Sequence, residues 1–183
     1  MAKNFIIFVF TFLITASGLA SAQSGSETAK DYYSLLKQKN YNSAAGYYDP
    51  AALSEFRQLM SFVNAIPDAK RQVFYQAFFE PDLTDSSIKT LSDSDYFASF
   101  LRGVLGSEIF SESMNYDDVK ILGEVLEDGD LAHVVTRNKY SFKEQDVESV
   151  EVSTFKKIGG KWMVQMSGKL KTIALAIRWD IVQ

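Results

Sequence analysis

The chain contains no cysteine and a single histidine, His133, in 183 residues. Without cysteine no disulfide can hold the fold, so packing must do so. The same absence excludes a thiol nucleophile, an iron–sulfur cluster, a cysteine-bound zinc ion and a lipid attached through cysteine. One histidine leaves mainly oxygen ligands for a metal, and the densest acidic clusters, residues 93–95 and 128–130, lack the spacing of a calcium-binding loop. We therefore predict no metal and, because Walker A and dinucleotide-binding glycine motifs are also missing, no cofactor.

An excess of basic residues is missing as well, since the net charge is −4 at pH 7. An acidic chain does not favour nucleic acid or anionic lipid as a partner. The charge is uneven: residues 108–151 carry twelve acidic and four basic side chains, and residues 152–183 carry six basic and one acidic. This asymmetry indicates either a bipolar binding surface or oppositely charged strands that lie side by side. We favour the second, because cross-strand pairs of opposite charge stabilise a sheet.

The sequence has one long apolar run, at its start. Lys3 precedes the apolar residues 5–13, and the small residues Ala20, Ser21 and Ala22 follow. This order predicts a secretory signal peptide cleaved after Ala22. An uncleaved anchor is the less favoured alternative, because the run is shorter than the roughly 20 apolar residues that a span needs. We expect residues 23–183 to form one secreted or periplasmic domain that does not contact the membrane after cleavage.

Hydrophobic periodicity predicts helices in the first half of the mature chain. Ser24 and Glu27 fit a capping box, and Asp49 followed by Pro50 fits a helix start. The predicted helices cover residues 24–39, 50–66, 68–80 and 93–105, with a short helical turn at residues 43–48. In the third of them Val73, Phe74, Ala77 and Phe78 are expected to form the buried side, and residues 82–91 are expected to be polar and turn-like.

The period then changes to the alternation of a β-sheet. Strands are predicted over residues 119–126, 131–142, 147–158 and 161–166. Asp128-Gly129 and Gly159-Gly160 predict tight turns between neighbouring strands. Residues 169–182 fit either a helical stripe or, over residues 173–179, a last strand, and we favour the helix. The fold class is therefore α+β, with N-terminal helices packed on an antiparallel sheet.

Three segments resemble the nuclear transport factor two-like superfamily. They are the tyrosine-rich first helix (residues 29–36, Ala-Lys-Asp-Tyr-Tyr-Ser-Leu-Leu), the following Asn-Tyr-Asn-Ser-Ala-Ala (residues 40–45), and the closing hairpin at residues 152–164 with its Ile-Gly-Gly-Lys-Trp turn. The resemblance implies a strongly bent, cone-like sheet that wraps around helices and leaves a pocket. One departure is that residues 68–79 read as a helix where the superfamily usually places a short strand pair.

Five side chains are candidates for such a pocket. Tyr33 and Tyr48 offer flat apolar rings with a hydroxyl, although aromatic stripes at helical spacing usually form core. Glu124 and Glu148 lie on strand faces that are otherwise apolar, so either is a candidate for the acid of a pocket. His133, the single histidine, is predicted on the polar face of its strand, so we expect an ordinary surface histidine there.

These observations leave three functional hypotheses. We favour a non-enzymatic domain that binds a small apolar ligand or a protein partner, because no catalytic constellation is present. The second is a cofactor-free acid–base enzyme of the isomerase or dehydratase kind, which would need a pocket carboxylate facing a tyrosine or His133. The third is a homodimeric scaffold, which an open sheet face with exposed apolar residues would support.

Overall fold

The computed structural model describes residues 23–80, 82–106, 115–142 and 145–182. The predicted signal peptide, residues 1–22, lies outside this part, and so do residues 143–144 of the turn that the polar residues 143–146 predict. Gln145 and Asp146 belong to a strand and not to that turn. Within it the chain has the predicted α+β architecture, with helices packed on a four-stranded antiparallel sheet. The predicted order, helices first and then an antiparallel meander of four strands, is therefore confirmed.

The helices of the first half are short and connected by tight turns. They are α1 (Gly25–Lys37), α2 (Tyr41–Ala45), α3 (Pro50–Leu59), a 3-10 helix (Met60–Ala65), α4 (Asp68–Phe78), α5 (Asp85–Thr90) and α6 (Asp93–Gly106). Ser24 and Glu27 form the predicted capping box, in which the Glu27 amide donates to Ser24 Oγ and the Ser24 amide donates to the Glu27 carboxylate. Asp49 caps α3, and Pro50 is its first residue. These caps satisfy amides that the helix itself leaves unpaired.

The sheet is a meander in the order β1 (Asn115–Glu127), β2 (Leu131–Phe142), β3 (Gln145–Ile158) and β4 (Lys161–Val164). Asp128 and Gly129 both have positive φ in the first turn, and Gly159 and Gly160 do so in the turn between β3 and β4. Two successive positive φ values suit a tight hairpin turn, which explains the glycines. The loop after α2 continues the sheet, since the Val164 amide donates to the Tyr47 carbonyl. This loop covers the edge of β4.

The core is mainly aromatic and lies among the helices. Phe56 of α3 packs edge to face against Phe97 of α6, with 5.0 Å between ring centroids, and tilted against Phe100 at 4.9 Å. Phe79, which follows α4, reaches Tyr96 at 4.9 Å. Pairs of this geometry contribute about 0.5–1.5 kcal/mol each beyond the area that they bury. The α3–α4–α6 group therefore holds together largely through its rings.

Two predictions for residues 68–91 are wrong in whole or in part. The segment expected to be turn-like contains helix α5, which begins with a capping box between Thr84 and Ser87 and buries Ile88. In α4 the prediction holds for Phe74, which is buried, and for Phe78, which packs partly buried against the core, but it is wrong for Val73, which is 65% exposed, and for Ala77, which is also exposed. Tyr75 is buried in their place. The helix packs through its aromatic residues, and the contacts of those rings decide its rotation.

The two faces of the sheet have different surroundings. Ala132, Val134, Thr136 and Asn138 of β2 are buried on the inner face, which α1 covers. The alternate residues of β2 point away from the helices to the outer face. In this respect β2 follows the predicted split into an apolar and a polar face.

The C-terminal segment forms a helix, α7 (Gly168–Val182), as we favoured. Ala174 is buried, and α7 packs against α3 and the 3-10 helix. Lys171 of α7 pairs with Glu55 of α3, with 2.7 Å between Nζ and Oε1. None of the helices in the described ranges combines the length and the hydropathy needed to cross a bilayer.

Candidate functional site

A cleft of about 210 Å³ lies between α1 and the inner face of the sheet. Its walls come from the C-terminal half of α1 and from β1, β2 and β3. They are formed by Lys30, Tyr33, Ser34, Leu36, Lys37, Val119, Ile121, Asn138 and Glu151. The cleft therefore has an apolar floor and a charged rim.

The position of α1 explains where the cleft opens. At the N-terminal end, Gly25 lies so close to the sheet that a Cβ there would be 2.6 Å from Cβ of Ala132. The Ser26 amide also donates to Oε2 of Glu124 on β1, at 2.7 Å. Both contacts hold the start of the helix on the sheet, and the cleft lies farther along, beside residues 30–37.

Asn138 is the most unusual side chain of the cleft. It is 97% buried on β2, and its Oδ1 has no hydrogen-bond partner in the described structure. A buried polar atom without a partner costs about 1–3 kcal/mol. Asn138 is one of the residues that line the cleft, so a donor group that reaches this oxygen from the cleft would be favoured there.

The polar groups at the rim are partly paired. Oε1 of Glu151 is 2.9 Å from Nζ of Lys169 at the start of α7. The Tyr33 hydroxyl is hydrogen-bonded to Ser153 Oγ at 2.7 Å, which fixes the ring over the cleft. Lys30 and Lys37 add positive charge on the α1 side. The rim is thus able to bind a polar or anionic end of a molecule whose body contacts the floor.

Of the five residues predicted for a pocket, Tyr33 lines this cleft. Tyr48 lies instead in the core, 7% exposed, with its hydroxyl 3.0 Å from the Tyr32 hydroxyl and its ring against Phe97. Tyr48 therefore connects α1 to α6 through buried contacts.

Glu124, His133 and Glu148 have other partners. Glu124 accepts the Ser26 amide at the start of α1, as described above. His133 lies on the outer face, where Nε2 is 2.7 Å from Glu127 Oε2 and Nδ1 is 3.1 Å from Thr154 Oγ1. Glu148 forms an ion pair with Arg137 at 2.8 Å, also on the outer face. The structure thus does not bring the five candidates together.

A second cleft, of about 220 Å³, lies among the helices. Arg57, Tyr75 and Tyr96 contribute to its lining. Arg57 is already used, since it donates to the carbonyls of Leu91 and Ile88 and pairs with Asp93. This cleft has paired charges and little apolar wall, so it is the weaker candidate for a ligand.

The tyrosines of the second cleft are kept neutral by their surroundings. Burial raises the pKa of Tyr96 well above its ordinary value of 10.0, and the nearby Tyr75 raises it further, against the opposing effect of Arg57. Burial also raises the pKa of Tyr75, with Asp85 as the next cause. Both hydroxyls therefore remain protonated at any physiological pH.

Asn138 and Glu151 were not among the predicted site residues. The sequence does contain a signal for Asn138. Alternation along β2 points Ala132, Val134 and Thr136 inward, and it predicts that the next residue in the series, the amide Asn138, points inward as well. The same alternation on β3 predicts that Glu151 points inward, because it lies four residues before the buried Phe155. What the sequence did not show is which end of the sheet α1 leaves uncovered.

In the described ranges no group of three histidine or acidic side chains is placed to hold a metal ion. No family model, curated protein or solved structure matches this chain. The resemblance to the nuclear transport factor two-like superfamily therefore stays a prediction from the sequence.

Proposed function

We propose that this chain is a secreted, non-enzymatic domain that binds a small, largely apolar molecule in the cleft between α1 and the inner face of the sheet. The observation that carries the proposal is Asn138, a residue of the cleft lining whose buried Oδ1 lacks a partner. A molecule with a hydroxyl or N–H group would satisfy this oxygen. Its apolar body would lie against Leu36, Val119 and Ile121.

The size of the cleft limits the ligand. Sites for drug-sized molecules measure about 300–1,000 Å³, and this cleft is smaller, at about 210 Å³. We therefore expect a compact molecule with one donor group rather than a long lipid. A cone-like sheet of the kind that the superfamily resemblance implies would suit such a ligand.

The experiment is native mass spectrometry of residues 23–183 purified from the natural host. We expect a bound small molecule, and we expect Ile121→Trp to abolish it because the larger side chain fills the cleft. Val73→Trp is the matched control, since Val73 is exposed on α4. A wild-type protein that carries no small molecule, or equal occupancy in a folded Ile121→Trp variant, would contradict the proposal.

A second candidate is an acid–base enzyme, and one observation favours it: Glu151 and Tyr33 line the same cleft. In that case the bound molecule would be converted on incubation, and Glu151→Gln would stop the conversion while binding persists. If the molecule is recovered unchanged with wild type and variant alike, the binding function stands and the enzyme is excluded.

A further inference from the structure

The outer face of the sheet exposes a group of valines. Val125 is 61% exposed, Val150 59% and Val152 57%. Val125 belongs to β1, and Val150 and Val152 belong to β3, so they lie on the same face of the sheet on either side of β2. Single exposed apolar residues are ordinary, but several on one flat face indicate an interaction surface.

The centre of this face is a row of small residues across the sheet. Gly123, Val135 and Val152 are paired in register on β1, β2 and β3. A Cβ added at Gly123 would meet no atom within 4 Å, so nothing covers this point. Small side chains in the centre allow a second sheet to approach to the roughly 10 Å at which sheets pack.

Charges lie at equal distances on either side of this row. Two residues from Val135 along β2 lie Arg137 in one direction and His133, with its partner Glu127, in the other. Four residues from Val152 along β3 lie Glu148 in one direction and Lys156 in the other. Each end of the face therefore carries both signs, but the matched positions are opposite in charge, Glu148 against Lys156 on β3 and Arg137 against the His133–Glu127 pair.

We propose that a second copy of this chain packs on this face, related by a two-fold axis that runs along the row Gly123–Val135–Val152. Rotation about that axis brings Glu148 opposite Lys156 of the second copy. It also brings Arg137 opposite the His133–Glu127 pair of the second copy. A surface that complements itself in this way meets the requirement of a symmetric dimer.

The size of the face fits a stable dimer. Strands of 12 to 14 residues rise about 3.3 Å per residue and lie about 4.8 Å apart, which gives a footprint of about 600–750 Å². Side-chain relief adds to this area. A stable interface buries about 800 Å² on each partner, so the outer face alone supplies about the required area.

The test is the mass of residues 23–183 in solution, by light scattering and sedimentation over a range of concentrations. We expect a dimer, and we expect Val152→Glu to raise its dissociation constant at least about 100-fold, because two carboxylates meet at the axis. Val73→Glu, the same change on exposed α4, should leave the constant within about twofold. Thermal unfolding of both variants checks that they fold.

A charge exchange tests the predicted arrangement of the two copies. Glu148→Lys alone should weaken the dimer about tenfold, because it places a like charge opposite Lys156. Adding Lys156→Glu should restore the affinity, which a merely local effect on folding would not do. A monomeric wild type, or a dimer that Val152→Glu leaves intact, would overturn the proposal, and so would the absence of rescue by the double exchange.

Discussion

At the scale of single residues, the unpartnered oxygen of Asn138 lowers the stability of the fold and, in our proposal, accepts a hydrogen bond from the ligand in the cleft. Asn138→Leu keeps the side chain close in size and removes the unpartnered oxygen. We expect the free energy of unfolding of the ligand-free protein to rise by about 1–3 kcal/mol, the usual cost of such a group. We expect binding of the co-purified molecule to weaken at the same time, because its donor loses its acceptor.

The measurements are urea unfolding of the ligand-free protein and titration with the recovered molecule. Thr136→Val is the control, since Thr136 is also buried on the inner face and its hydroxyl makes a long contact of 3.5 Å to the Glu151 carbonyl. A folded Asn138→Leu protein with lower stability than wild type would show that the amide is structural.

The raised pKa of Tyr96 predicts how the free energy of unfolding depends on pH in the alkaline range. Its pKa is raised in the folded state above the ordinary value of 10.0 by burial first and Tyr75 second. A raised pKa means that the fold prefers the protonated form, so the contribution is complete below pH 10 and is lost as the pH rises toward the folded pKa. The difference in unfolding free energy between wild type and Tyr96→Phe should therefore shift in favour of the variant between about pH 7 and about pH 11.

Chemical denaturation of both proteins at the two pH values measures this difference. Effects of titrating groups that do not interact with Tyr96 are common to both proteins and cancel. A difference that is independent of pH would mean that the Tyr96 hydroxyl titrates in the fold as it does in the unfolded chain.

At the scale of elements, the contact between α4 and α6 depends on Gly103. A Cβ at this position would lie 2.5 Å from the carbonyl carbon and oxygen of Phe78, which belong to the backbone. Alanine normally favours a helix over glycine by about 1 kcal/mol, but here the clash should dominate. We expect Gly103→Ala to lower the unfolding free energy by about 1–3 kcal/mol, as measured by thermal and urea unfolding.

Gly106→Ala, one turn later in α6, is the control. A Cβ there would meet side-chain atoms at 3.8–3.9 Å, an ordinary contact distance. This variant should be close to neutral. If Gly103→Ala were as stable as Gly106→Ala, the two helices would have to separate without cost, and the close approach would not matter to the fold.

The elements also show how far the sequence predicts the structure. Caps and turns are local, so Ser24, Asp49 and the glycines of the turns identify their positions correctly. Helix α5 has six residues and buries only Ile88. So short a helix does not repeat its hydrophobic pattern, and the sequence therefore does not reveal it. The site depends on contacts distant in sequence, such as the Ser26 amide with Glu124, which no local pattern predicts.

At the scale of the whole molecule, the sheet separates two proposed functions. Inward and outward residues alternate along the same strands, so that Glu151 lines the cleft while its neighbour Val152 lies on the outer face. A change on one face therefore leaves the side chains of the other face in place. Because of this geometry, one substitution is expected to abolish ligand binding alone and another to abolish dimerisation alone.

We expect Val152→Glu to abolish the dimer and leave ligand occupancy unchanged, and Ile121→Trp to abolish the ligand and leave the dimer mass unchanged. Native mass spectrometry of the two single variants and their combination measures both properties in one experiment, and the double variant should be a monomer without ligand. Loss of ligand from a folded Val152→Glu monomer would mean that dimerisation shapes the cleft. In that case the sheet would transmit a change between its faces instead of isolating them.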